Sequence, residues 1–159
     1  MDAGDFKLAF PKLARRLGDR DAGVLITLMR EREVPAGATL MEDRALASSV
    51  FLVVDGEFRV EAPQGDDVSE IGRAGPGHWI GEIPLFCDEH ISSSRVAAMV
   101  PSRVLELPHA QFWSARMNHP ELVSVLTREL VDHMSERVRT LDQLITRLVQ
   151  QRESQPGPA

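Results

Sequence analysis

A run of five apolar residues at 50–54, of sequence VFLVV, is the feature that most constrains the fold of this chain. Three of the five are β-branched valines, and Asp55-Gly56 follows at once, which is typical of a buried strand that ends in a hairpin turn. After the turn, Phe58 and Val60 alternate with charged residues, as expected for a returning strand with one face in solvent. The sequence therefore predicts antiparallel sheet.

The segment 34–118 continues this strand pattern. Four glycines and a proline fall within 72–81, which makes that stretch too rich in glycine for a helix. Short apolar runs around 96–100 and 104–107 predict a final pair of strands. We therefore expect 34–118 to form one compact all-β unit.

Both ends of the chain follow a helical period instead. Apolar residues spaced by three and four predict amphipathic helices within 1–33. A long helix is predicted over 119–154, with Pro120 suited to its first position, and a disordered tail over 155–159. At about 1.5 Å per residue the long helix reaches about 50 Å, which is more than one small β domain can cover.

Apolar residues of this helix form a heptad seam. β-branched residues occupy one core position and Leu or Met the other, a pattern that favours a parallel two-stranded coiled coil. In this register Arg137 faces Asp142 of a second chain. We predict a homodimer; the alternative is a long helix packed along its own domain. The seam consists of Val131, Met134, Val138, Leu141, Ile145 and Leu148.

Charge and cysteine content exclude several classes. The formal charge is −6, which argues against nonspecific binding to nucleic acid. All of that charge lies in 34–120, where six arginines oppose twelve carboxylates. A single cysteine, Cys87, excludes an intramolecular disulfide and a cysteine-based zinc cluster. No apolar run approaches the ~18 residues of a membrane helix and the N-terminus is no signal peptide, so we expect a cytoplasmic protein without membrane attachment.

The sequence offers no catalytic or metal-binding constellation. Its five histidines lack the i, i+4 spacing of a zinc-binding helix. A Gly-x-Ser-x-Gly nucleophile elbow is also missing. We therefore predict a protein that is not an enzyme, with no catalytic residues and no metal.

Several motifs of the middle segment occur in the order and spacing of one domain family. They are GATL at 37–40, VFLVVDG at 50–56, GPGHWIGEIPLF at 75–86 and VLELP at 104–108. On these motifs, roughly residues 30–150 resemble the cyclic-nucleotide-binding domain of the catabolite-activator-like (CRP/FNR) regulators. The resemblance implies a mainly β fold with flanking helices: an eight-stranded antiparallel jelly-roll barrel, one helix before it and two after it, the last being the dimer helix.

The resemblance also implies a ligand site. The Glu82 carboxylate of the Gly81-Glu82 pair would accept a hydrogen bond from a ribose 2′-hydroxyl. Backbone N–H groups of the short helix that follows, beginning with Ile83, would face a cyclic phosphate. Arg137 on the dimer helix completes this set. Without a ligand role, Glu82 would serve only the turn and the cap of the short helix.

The arginine that the family places in this phosphate-binding cassette is absent. Matching Val96 and Ala98 to the family's strand puts Ser92 at the arginine position and Ser93 at the hydroxyl residue after it. An arginine makes two charge-assisted hydrogen bonds to phosphate of about 1.5–3 kcal/mol each, so its loss weakens binding on the order of 10²–10⁴-fold. Arg95 replaces it only if the chain slips, because one residue before Val96 it faces away from the interior.

Two functions therefore remain open. In the first, the chain is a degenerate regulatory module that forms a homodimer and acts on an unidentified protein partner. In the second, a cyclic nucleotide or other small ligand enters near Glu82 and the serines 92–94 and signals through the dimer helix. The serines also fit a simple polar turn. Transcriptional relatives continue into a DNA-binding domain, whereas this chain stops after the long helix, so we expect no direct DNA binding.

Overall fold

The computed structural model describes residues 1–64 and 67–153, and the tail predicted at 155–159 lies outside them. Two helices come first, strands and one short helix follow, and two helices close the described part. The elements are α1 (Ala3–Ala9), α2 (Pro11–Leu28), β1 (Arg30–Val34), β2 (Thr39–Met41), β3 (Ser49–Asp55), β4 (Phe58–Gln64), β5 (Asp67–Ala74), β6 (Trp79–Ile80), α3 (Glu82–Phe86), β7 (Arg95–Ala98), β8 (Ser102–Pro108), α4 (His109–Asn118) and α5 (Pro120–Glu153).

The strands form two antiparallel sheets of four strands each. Their orders are β1-β8-β3-β6 and β2-β7-β4-β5. The mainly β jelly-roll fold with flanking helices is thus confirmed, but the closed barrel is not. Within the described part no strand ladder joins the two sheets, which instead pack face to face through apolar side chains. The predicted final pair of strands also divides, because β7 lies between β2 and β4 whereas β8 lies between β1 and β3.

Burial explains the apolar run of β3. Phe51 and Val53 face the core between the sheets, whereas Val50 and Leu52 face the helices. A strand covered on both faces needs apolar residues at consecutive positions rather than alternate ones. The buried strand predicted at 50–54 is therefore confirmed.

The first strand begins earlier than the boundary at residue 34 that the sequence suggested. Helix α2 ends at Leu28, and β1 starts at Arg30 as an edge strand paired only with β8 in the first sheet. Its first four residues are charged and exposed. Charged edges discourage pairing with a further strand, and they also hide the strand from a hydrophobicity pattern.

Helix α5 spans 34 residues, with the bounds expected from the sequence. In its first turns Leu122, Leu126 and Leu130 are buried among α1, α2, α4 and the first sheet. Arg16 of α2 reinforces this packing by binding Glu129 and Asp132. Among the described residues, no helix combines the length and apolar character needed to cross a membrane.

Candidate functional site

A glycine positions the main acidic residue of the site. Gly81 has φ = +84°, and a Cβ there would lie 2.8 Å from the Met41 methyl carbon and 3.0 Å from the Ser49 carbonyl oxygen. Glycine alone combines this left-handed conformation with so close an approach. The turn starts α3 at Glu82, whose side chain is only 1% exposed.

Glu82 is paired with the long C-terminal helix. Arg137 of α5 donates from Nη1 to Glu82 Oε1 over 2.7 Å. A buried carboxylate needs such a partner, because desolvation of an isolated charge is costly. The structure thus brings together two residues, 55 positions apart, that the resemblance assigned to one site.

A second contact joins α5 to the same region. The His133 Nε2 lies 3.1 Å from the Trp79 carbonyl oxygen, and its ring meets His78 edge-on at 5.6 Å. Burial lowers the pKa of His133, although the Glu82 carboxylate acts in the opposite direction. We therefore assign a neutral ring that donates to the carbonyl. The sequence analysis missed this contact; its only signal is that His133 and Arg137 lie four positions apart, on one face of the helix.

These groups line a pocket of about 770 Å³. It extends from the core between the sheets to α5 and the start of α2. The lining includes the sequence-predicted residues Gly81, Glu82, Ile83, Ser92, Ser93 and Arg137.

Ser92 occupies a buried turn in this wall. It is 2% exposed, and its hydroxyl donates to the Ser94 carbonyl over 2.7 Å. Its backbone N–H donates to the Ala45 carbonyl over 2.9 Å. Ser93, in contrast, is exposed. The hydroxyl at the expected arginine position therefore already has a partner within the loop.

Arg95 is separated from the other candidates. It is not among the residues that line the pocket. Its guanidinium donates to Glu61 Oε2 and to the Thr39 hydroxyl, each over 2.8 Å. As a strand residue next to inward-facing Val96, it points to the other side of the second sheet. The structure thus does not bring Arg95 to the ligand site.

The apolar seam of α5 is largely uncovered in the single chain. Val131 is 44% exposed, Val138 56%, Leu141 47% and Ile145 58%. Met134 is half-buried, and the Leu148 side chain lies outside the described part. Arg137, for which the sequence suggested Asp142 of a second chain, has the carboxylate of Glu82 in its own chain instead.

The metal-free expectation concerns a further part of the surface. Among the described residues, no group of three or more His, Cys, Asp or Glu side chains is arranged to hold a metal ion. The free thiol of Cys87 is exposed on the loop after α3.

Comparison with known proteins places this geometry in a family. The model of the cyclic nucleotide-binding domain matches residues 31–119. A Pycsar effector protein of Pseudomonas aeruginosa is 30% identical over 125 residues, covering 79% of this chain and 37% of the relative. A cyclic nucleotide-gated potassium channel of Mesorhizobium japonicum is 28% identical over 120 residues, covering 76% of this chain and 32% of the channel. The chain thus spans about a third of the length of these relatives.

Solved structures share the fold. A cyclic nucleotide-binding domain from Methylobacillus flagellatus superimposes with a TM-score of 0.80 at 18% identity, covering 89% of this chain and 85% of that one. The catabolite activator protein of Thermus thermophilus gives a TM-score of 0.69 at 22% identity, covering 83% and 62%. The chain belongs to the cyclic nucleotide-binding domain family and has the fold of the catabolite-activator-like regulators.

Proposed function

We propose that this chain is a non-enzymatic regulatory module whose cyclic-phosphate site is degenerate, and which acts as a homodimer on a protein partner. One observation carries the proposal: at the position of the family's arginine stands Ser92, buried and bonded to the Ser94 carbonyl. A cyclic phosphate at this wall would meet neutral donors where the family offers a guanidinium.

Neighbouring residues do not replace the lost charge. Arg95 is held by Glu61 and Thr39 on the other side of the sheet. The loop from 87 to 94 carries Asp88 and Glu89 and no lysine or arginine. Pro84, within α3, contributes no backbone N–H. Each of these features weakens the attraction for an anion.

The long helix supports the regulatory part of the proposal. Arg137 contacts the pocket, and the adjacent Val138 belongs to the exposed apolar seam. Any change in the pocket that moves Arg137 would thus alter the face through which two helices meet. A parallel coiled coil is the natural cover for that seam. The proposed partner is a protein in the cytoplasm rather than DNA or a membrane.

A second candidate function rests on the pocket itself. A volume of about 770 Å³ lies within the range of small-molecule sites, and Glu82 and Arg137 both face it. In this alternative the chain is a true sensor of a cyclic nucleotide. Relatives described as a cyclic nucleotide-gated channel and a Pycsar effector support the sensor class.

Isothermal titration calorimetry separates the two. We expect no saturable heat with cyclic AMP, cyclic GMP or cyclic di-GMP up to about 100 μM, because the arginine clamp is worth on the order of 10²–10⁴ in affinity. Saturable micromolar binding that is lost in Glu82→Ala would overturn the degenerate assignment and establish the sensor.

A further inference from the structure

The pocket of this degenerate site has balanced charge. Its ionisable lining residues comprise three acids and three bases, so its formal charge is zero. These are Glu82, Glu129, Glu136, Lys12, Arg73 and Arg137. A pocket of this kind offers no net attraction to a ligand that carries a phosphate.

Most of these charges are already neutralised by other protein groups. Arg137 binds Glu82 over 2.7 Å. Arg73 binds Glu70, also over 2.7 Å, and Glu129 binds Arg16. A charged ligand would have to compete with these partners, and a neutral ligand would not.

Neutral hydrogen-bonding groups are nonetheless present at one end of the pocket. The hydroxyl-bearing residues Ser93 and Ser94 line it beside the Glu82 carboxylate. A carboxylate accepts hydrogen bonds from ligand hydroxyls, and serine hydroxyls both donate and accept. This end is suited to a sugar or another polyol.

Apolar groups line the interior of the same pocket. Val60, Ile80 and Val96 belong to the buried core between the sheets and also contribute to the pocket wall. Such a wall favours a flat ring with little charge, because burial of its faces removes apolar surface from water. The occupant thus has a hydroxyl-rich part, a flat ring and no net charge.

We propose that the pocket binds an uncharged nucleoside in preference to its phosphorylated forms. A nucleoside combines a flat base with free ribose hydroxyls, and its volume suits a pocket of about 770 Å³. This inference rests on the proposed function, because a site with a working phosphate clamp would select the cyclic nucleotide instead.

Calorimetry on the full chain with matched pairs tests the preference. The pairs are adenosine with cyclic AMP and guanosine with cyclic GMP, so the phosphate is the main difference within each pair. At least one nucleoside should bind about tenfold or more tighter than its cyclic nucleotide. Equal or tighter binding of the cyclic nucleotide overturns both this inference and the degenerate site. Absence of binding by all four ligands overturns only the inference and leaves the regulatory module intact.

A serine variant tests the location. Ser93 is exposed, so Ser93→Ala should fold normally; the matched control is Ser114→Ala on the exposed surface of α4. The pocket variant should weaken nucleoside binding about fivefold, as expected for one lost hydrogen bond, and the control should not change it. Equal affinity of the two variants overturns the placement of the sugar beside Ser93.

Discussion

The guanidinium of Arg137 on α5 lies 2.7 Å from the carboxylate of Glu82 on α3, and that carboxylate is only 1% exposed. The pair ties the middle of the long helix to the wall of the pocket. It therefore couples stability to the site: whatever separates the two charges leaves Glu82 buried without its cation.

Loss of the cation should destabilise the fold. We expect Arg137→Ala to lower the free energy of unfolding by about 1–2 kcal/mol, less than for a fully buried pair because Arg137 is 43% exposed and water shares its solvation. Urea denaturation at fixed protein concentration measures the change. Arg139→Ala, on an exposed position of the same helix, is the control and should have little effect.

A double variant isolates the pair. Glu82→Gln removes the charge that Arg137 balances, so Arg137→Ala should cost less in that background than in the native chain. Equal costs in both backgrounds would show that the ion pair does not carry the stabilisation.

Prediction from sequence succeeded where burial leaves a mark on the pattern. Strand β3 was recognisable because both of its faces are covered and the apolar run is continuous. Strand β1 was missed at Arg30–Glu33, because an exposed, charged edge strand has no hydrophobic period. The closed barrel was expected from family resemblance alone, and no pattern within a strand reports whether two sheets join.

The candidate site was predictable to a similar degree. The glycine turn at Gly81 and the following Glu82 were visible as a motif. The contact between His133 and the Trp79 carbonyl was not, since it joins a helix to a backbone atom 54 residues away. Likewise, the distance between Arg95 and the pocket depends on which face of β7 points inward, and the register with Val96 alone suggested it.

The exposed seam of α5 should mediate dimerisation. Ile145→Asp places a charge at each core position of the proposed coiled coil, so the dimer should dissociate to the 17.6 kDa monomer. Ile145 is preferred over Leu141 because Leu141 also lines the pocket. Analytical ultracentrifugation at tens of micromolar reports the mass.

The control for this variant lies on the outer face. Gln143→Asp introduces the same charge at the heptad position farthest from the seam, and the variant should remain a dimer. A monomeric native chain under the same conditions would refute the proposed homodimer, and an unchanged Ile145→Asp dimer would refute this seam.

Restoring an arginine should restore phosphate binding. Ser92 lines the pocket at the family's arginine position, so Ser92→Arg should strengthen binding of cyclic AMP on the order of 10²–10⁴-fold. Calorimetry measures the gain, with circular dichroism to establish that the variant is folded. Ser114→Arg adds the same charge on α4 and should bind no better than the native chain. A folded Ser92→Arg variant without the gain would mean that this missing side chain is not the cause of degeneracy.

Stability should decrease in mild acid because of a buried histidine. His109 is 8% exposed, its Nε2 has no hydrogen-bond partner within the described structure, and its ring centroid lies 5.8 Å from that of His90. Burial lowers the pKa of His109 from its ordinary value of 6.5, and the charge of His90 adds to the effect, although a backbone hydrogen bond at Ser49 opposes it.

The sign follows from proton uptake. Below about pH 6.5 the unfolded chain binds a proton at His109 that the folded chain does not, so the free energy of unfolding falls as the pH falls. Burial of His133 acts in the same direction. His109→Phe removes one of these groups and should reduce the loss of stability between about pH 7.5 and pH 5.5, measured by urea denaturation. His119→Phe, the same change outside this buried contact, is the control; an equal reduction in both variants would show that His109 is not the source.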